Sequence, residues 1–183
     1  MGKRLALILG GARSGKSTFA EALADKRGDD VLFVATAQAL DDEMRARIQQ
    51  HRSARNARWR TLEAPRDVAR ALSSAPPARI VLLDCLTLWV SNVLLANQRT
   101  AIEEMMREVG ELLEWYRAAQ CELVVVSNEV GMGLVPDNAL GRAYRDLLGA
   151  VNRKFGEQAD QVFLLVAGLP IEVKSRAIRL EDL

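Results

Sequence analysis

The sequence predicts an α/β protein, a single domain over residues 1–183 with a mainly parallel sheet flanked by helices, and three observations carry that expectation. Five short apolar runs lack polar alternation, as strands covered on both faces do. The intervals between them are long enough for the crossovers that parallel strands require. A glycine-rich phosphate-binding motif sits between the first run and a helical segment, which makes the expected fold a P-loop nucleotide-binding one.

In chain order, the runs are LALIL at 5–9, VLFVA at 31–35, IVLL at 80–83, LVVV at 123–126 and VFLLV at 162–166. Pro76 and Pro77 mark a turn into the third of these. Helical spacing fills several gaps. Leu86, Trp89, Val90, Val93 and Leu94 recur at three and four residues, as do Ile102, Met105, Met106, Val109, Leu112, Leu113 and Tyr116. Leu140, Tyr144, Leu147, Leu148, Val151 and Phe155 form a third stripe, and all three read as helices packed on the sheet. Asp41, Asp42 and Glu43 are the kind of acidic cluster that opens a helix, because carboxylates meet the positive end of its dipole. Met44, Ile48, His51 and Arg55 then follow at helical spacing, apolar first and polar from the histidine on.

A chain of 183 residues can bury roughly two-thirds of its unfolded surface, so one core is expected. Lys and Arg total 25 against 24 for Asp and Glu, a net charge of +1. That balance excludes a polyanion-coating protein and an acidic disordered tail, and no nucleic-acid partner is expected. Cys85 and Cys121 lack metal-ligand spacing and sit in or beside apolar runs, so both are expected as buried thiols in a reducing cytoplasm. The opening MGKRLALILGG has too short an apolar run, ending in glycines, to be a targeting segment. Nothing approaches the ~18 apolar residues of a membrane span.

The motif GGARSGKS, comprising Gly10, Gly11, Ala12, Arg13, Ser14, Gly15, Lys16 and Ser17, satisfies G-x-x-x-x-G-K-[ST] in the right context. Its backbone N–H groups form an anion nest and the following helix adds partial positive charge. Lys16 reaches the outer phosphates, and Ser17 can ligate Mg²⁺. Such a loop needs an acidic partner at the carboxyl end of another buried strand; IVLLD places Asp84 there, as a second metal ligand. Ligands of open α/β sheets bind outside the carboxyl ends of the strands, which directs attention to Thr36 and Ala37, to Asp84 and to the loop SNEVGMGLVP at 127–136. The loop carries Asn128, Glu129, Gly131 and Gly133; by composition alone it is as well explained as a plain connection.

His51 is the only histidine, with Arg47, Arg52 and Arg55 near it. Neighbouring arginines favour the neutral imidazole, which can act as a nucleophile, and could also hold a phosphate. Alone, a single histidine is more often structural than catalytic.

Taken together, GGARSGKS, VATAQALDDEMRARIQQHR, WRTLEAP, LLDCLTLWVSN, NEVGMGLVP and LVAGLPIEVK resemble the bifunctional adenosylcobinamide kinase and adenosylcobinamide-phosphate guanylyltransferase family of cobalamin biosynthesis. Only the residues after Lys174 lie outside the likeness. The resemblance implies a recombinase-type fold, a homo-oligomer, specifically a trimer, and two linked reactions. ATP or GTP phosphorylates adenosylcobinamide; GTP then donates GMP to that phosphate, giving adenosylcobinamide-GDP and pyrophosphate, with His51 as covalent carrier. It also implies nucleotide contacts from the P-loop, from Ala35, Thr36 and Ala37, from Ala54, Arg55, Asn56 and Ala57, from Glu63 and from Asp84. Arg52 is a further phosphate-facing candidate. Lys16 and Asp84 are expected in phosphoryl transfer on mechanism. Two other readings are a single-function small-molecule kinase in which His51 only packs, and a nucleotide-gated binding protein.

Overall fold

The computed structural model describes residues 3–39, 42, 45, 46, 49 and 56–178. Strand β1 (Leu5–Gly10) leads to helix α1 (Lys16–Arg27), followed by β2 (Val31–Ala35), β3 (Arg60–Glu63), α2 (Val68–Ser74), β4 (Ile80–Asp84) and α3 (Leu86–Ala96). Helix α4 (Ala101–Ala118), β5 (Glu122–Val126), α5 (Ala139–Gln158), β6 (Gln161–Val166) and β7 (Leu169–Glu172) complete the order, with a short 3₁₀ turn at Lys174–Arg176. Asp42, Arg45, Ala46 and Gln49 are helical, and Arg45 pairs with Asp42. The expected stripe itself, Met44, Ile48, His51 and Arg55, lies outside the described residues.

The sheet has seven strands in the order β3-β2-β4-β5-β1-β6-β7. Every neighbouring pair is parallel except β6 and β7, which pair antiparallel. All five expected runs are strands; in the first four the lack of alternation is explained by burial on both faces, whereas β6 is mostly half-buried and its Val166 is exposed. Leu5, Leu7, Leu32, Val34, Val81, Leu83, Leu123 and Val125 join one core with residues of α2 through α5. Ile8, Val31, Phe33, Ile80, Leu82, Val124 and Val126 point the other way, against α1 and Trp59.

The sequence stripes give the buried faces of α3, α4 and α5, except that Ile102 and Leu140, the first stripe residues of α4 and α5, are exposed and Met106 and Tyr144 are half-buried. Both exposed residues sit in the opening turn of their helix. Cys121 is buried as expected; Cys85 is half-buried, at the turn between β4 and α3. Two strands were not anticipated. β3 (RTLE) is an edge strand with intermediate and exposed residues, and β7 (LPIE) is the opposite edge and contains Pro170. Edges tolerate charge and proline because one side of the strand carries no ladder.

A buried carboxylate joins the helices behind the sheet. Glu108 accepts from Trp89 Nε1 at 2.7 Å, from the Asp67 N–H at 2.9 Å and from Arg66 Nη2 at 3.1 Å. Arg66 also reaches Glu104 at 2.7 Å. The charge is thus paired and hydrogen-bonded, the condition under which a carboxylate is tolerated inside. It ties α3 and α4 to the segment that follows β3.

Candidate active site

The P-loop is built as its glycines allow. Gly10 has φ +155°, and a Cβ there would lie 2.6 Å from Ser14 Oγ and 2.7 Å from the Leu165 carbonyl. Gly15 has φ +90° and caps α1 without any side-chain bond to the first turn. The first-turn N–H groups are therefore left for an anion. Gly168 N donates to Ser14 O at 3.1 Å, bracing the loop from the β6–β7 turn.

Lys16 is 8% exposed, and its Nζ donates to Gly11 O at 2.6 Å. Burial lowers its pKa from the ordinary lysine value, while the nearby Asp84 carboxylate pulls it back upward. An arriving phosphate would favour the charged form in the same way. Burial and the Asp84 charge push the Cys85 thiol up to about 12, so it stays protonated and unreactive at neutral pH.

Register brings the remaining candidates to one edge. Ala35 is level with Glu63 on β3 and with Asp84 on β4, and Asp84 is level with Val126 on β5. Thr36 is fully buried. Its hydroxyl donates to Cys85 O at 2.7 Å and accepts from Cys85 N at 2.8 Å, and its N–H reaches Asp84 O at 3.3 Å. Its side chain thus holds the Asp84 strand end in place, and Ala35 and Ala37 on either side of it are partly open. Asn92 was not anticipated from sequence. Its Nδ2 donates to Thr36 O at 2.8 Å and to Pro65 O at 2.9 Å, fastening the Ala35–Ala37 and Glu63 segments to α3.

Other candidates stand apart from the P-loop. Asn56 donates to Asp25 Oδ1 at 3.1 Å and accepts from Arg58 N at 3.1 Å; Ala57 is exposed. Asp25 is eight residues beyond Ser17 on α1, roughly 12 Å along the helix axis. His51, Arg52, Ala54 and Arg55 lie outside the described residues.

Mg²⁺ suits the residues present. Ser17 and Asp84 offer the hydroxyl and carboxylate oxygens this ion takes. Among the described residues no group of three or more His, Cys, Asp or Glu gathers to hold a metal. An ion held by one or two protein oxygens together with substrate phosphates needs no such group.

Residues 6–173 match the family described as cobinamide kinase / cobinamide phosphate guanyltransferase. The chain belongs to this family. The bifunctional adenosylcobalamin biosynthesis protein CobP of Pseudomonas aeruginosa is 44% identical over 173 residues, covering 94% of this chain and 98% of that protein. The Salmonella typhimurium bifunctional adenosylcobalamin biosynthesis protein CobU is 42% identical over 181 residues, covering 92% and 98% respectively. Among solved structures, the RadB recombinase superposes with a TM-score of 0.51 at 17% identity, over 88% of this chain and 73% of that one. At that identity the likeness is one of fold, and it bears out the expected recombinase type. The match to the cobinamide kinase / cobinamide phosphate guanyltransferase family runs through both the P-loop and the segment holding His51. Membership therefore concerns the whole sheet and not the phosphate loop alone.

Proposed function

We propose that the chain carries out two successive transfers on one small molecule, with the P-loop as phosphate cradle and His51 as covalent carrier of GMP. As a member of its family it is an enzyme, a cobinamide kinase and cobinamide phosphate guanyltransferase. The observation that carries the mechanism is the cradle: Lys16 buried in the loop, α1 open at its N-terminus, and Asp84 at the same edge of the sheet.

In the first transfer, a nucleoside triphosphate lays its phosphates along the backbone N–H groups of Gly11 through Ser17. Lys16 leaves Gly11 O for a phosphate oxygen and stabilises charge as it develops. Ser17 and Asp84 would hold Mg²⁺, which when bound offsets charge on the outer phosphates. Thr36 and Asn92 keep the neighbouring strand ends fixed, so that Ala35, Ala37 and Glu63 present a firm wall to base and ribose.

In the second transfer, a neutral imidazole nitrogen of His51 forms a bond to the α-phosphorus of GTP, and the bond to the bridging oxygen breaks, releasing pyrophosphate. The phosphate of cobinamide phosphate then displaces His51. Dividing one displacement into two is what a histidine nucleophile supplies, and Arg52 and Arg55 are placed by sequence to hold the phosphates. A homotrimer, in the cytoplasm, fits the same reading. No helix among the described residues is long and apolar enough to cross a membrane.

The test is His51→Asn. Label from the γ-phosphate of ATP or GTP should still reach cobinamide, while GMP transfer from α-labelled GTP to cobinamide phosphate should fall to background. Loss of both activities in a folded variant would show that the histidine serves the kinase step too and would overturn the division of roles.

A further inference from the structure

A hydroxyl that attacks a γ-phosphate must lose its proton. Lys16 is a cation and Asp84 is allotted to the metal, so neither can accept it. Glu63 stands at the β3 edge, four strands from β1 and hence about 19 Å away at ordinary strand spacing.

The sheet order supplies another carboxylate. Strand β5 lies between β1, which opens into the P-loop, and β4, which ends in Asp84. Val126 is level with Ile8 on one side and Asp84 on the other. The chain leaving β5 therefore emerges between cradle and metal ligand. It keeps to the P-loop as it does so: Ser127 N donates to Ile8 O at 2.9 Å and Glu129 N to Gly10 O at 3.1 Å. On the far side Asn128 N donates to Thr87 Oγ1 at 3.0 Å, and Asn128 O accepts from Asn152 Nδ2 at 2.9 Å. Asn152 Oδ1 in turn accepts from the Ser127 hydroxyl at 2.6 Å. Three consecutive residues are thus held before the loop turns outward. The Glu129 carboxylate is held by its own loop, accepting from Gly131 N at 2.6 Å, and a Cβ on Gly131 would lie 2.9 Å from that oxygen.

We propose that Glu129 is the proton acceptor of the kinase step, an inference that rests on the functional reading above. The acceptor hydroxyl oxygen bonds to the γ-phosphorus as the bond to the β,γ-bridging oxygen breaks. The nucleoside diphosphate leaves with that electron pair, and the hydroxyl proton passes to a Glu129 carboxylate oxygen. GMP transfer needs no such base, because cobinamide phosphate attacks as an anion. Gly131 is a positioning residue: only a residue without Cβ leaves the carboxylate where its N–H holds it.

The experiment separates the two activities. Kinase turnover is followed with γ-labelled ATP and cobinamide, and GMP transfer with α-labelled GTP and prepared cobinamide phosphate. Glu129→Gln should lower kinase kcat by about 100-fold or more, with nucleotide KM and GMP transfer within about threefold of native. Gly131→Ala should show the same selective loss, through displacement of the carboxylate. A Glu129→Gln kinase kcat within about threefold of native would overturn the proposal, as would equal loss of both activities. Native protein inactive in both assays would instead overturn the functional reading, and the base with it, so the two failures are distinguishable.

Discussion

Asn92 and Thr36 show how far single residues set the geometry of this site without touching a nucleotide. Asn92 spans 56 residues of sequence to reach Thr36 and 27 to reach Pro65, and both partners are backbone carbonyls. No spacing rule points to such a residue, because carbonyl acceptors carry no sequence signal. Lys16 and Asp84 were legible for the opposite reason: one belongs to a fixed motif and the other ends an apolar strand. Glu129 was visible only as part of a glycine-bearing loop, and it took the strand order to place it. Replacing Asn92 by leucine keeps the branched shape but leaves two carbonyls without their donor. The expected cost is about 1–3 kcal/mol in urea unfolding, accompanied by weaker nucleotide binding. A variant as stable as native would show that the clamp carries no weight.

At the level of elements, central strands and amphipathic helices could be read from the sequence because burial imposes a pattern on them. The two edges could not. In β3 a single leucine sits among arginine, threonine and glutamate, and β7 begins with leucine and proline. What holds β7 against β6 includes a side chain the pattern hides. Glu172 accepts from Val162 N at 3.0 Å, from Lys174 N at 3.2 Å and from Ser175 N at 2.6 Å. The Ser175 side chain and these backbone N–H groups hold its pKa down to about 2. The ionised form is therefore favoured in the folded chain, whereas an unfolded glutamate takes up its proton near about 4.3. The stabilisation is complete above that pH and fades as pH falls toward 2. Glu172→Gln should accordingly be less stable than native at neutral pH, with the gap in urea midpoint closing between about pH 4.3 and pH 2. A gap that does not change with pH would contradict this account of the β6–β7 end.

For the whole molecule, the decisive feature is that the P-loop strand and the Asp84 strand are not neighbours. β5 separates them, and this opens a gap at the carboxyl edge that the loop after β5 enters. Sequence predicted a parallel sheet but not this order, because order depends on how crossovers pack and not on any one run. The resemblance noted from sequence anticipated the family and the recombinase-type fold. The segment holding His51 was legible only through that resemblance, since a lone histidine on a mixed face has no distinctive pattern. The central claim is that this histidine carries GMP, and the most direct measurement is to incubate the native chain with GTP labelled at the α-phosphate and isolate the protein. The account predicts label bound to the chain, stable in base, labile in acid and absent from His51→Asn. An unlabelled native chain under conditions where GMP reaches cobinamide phosphate would contradict it.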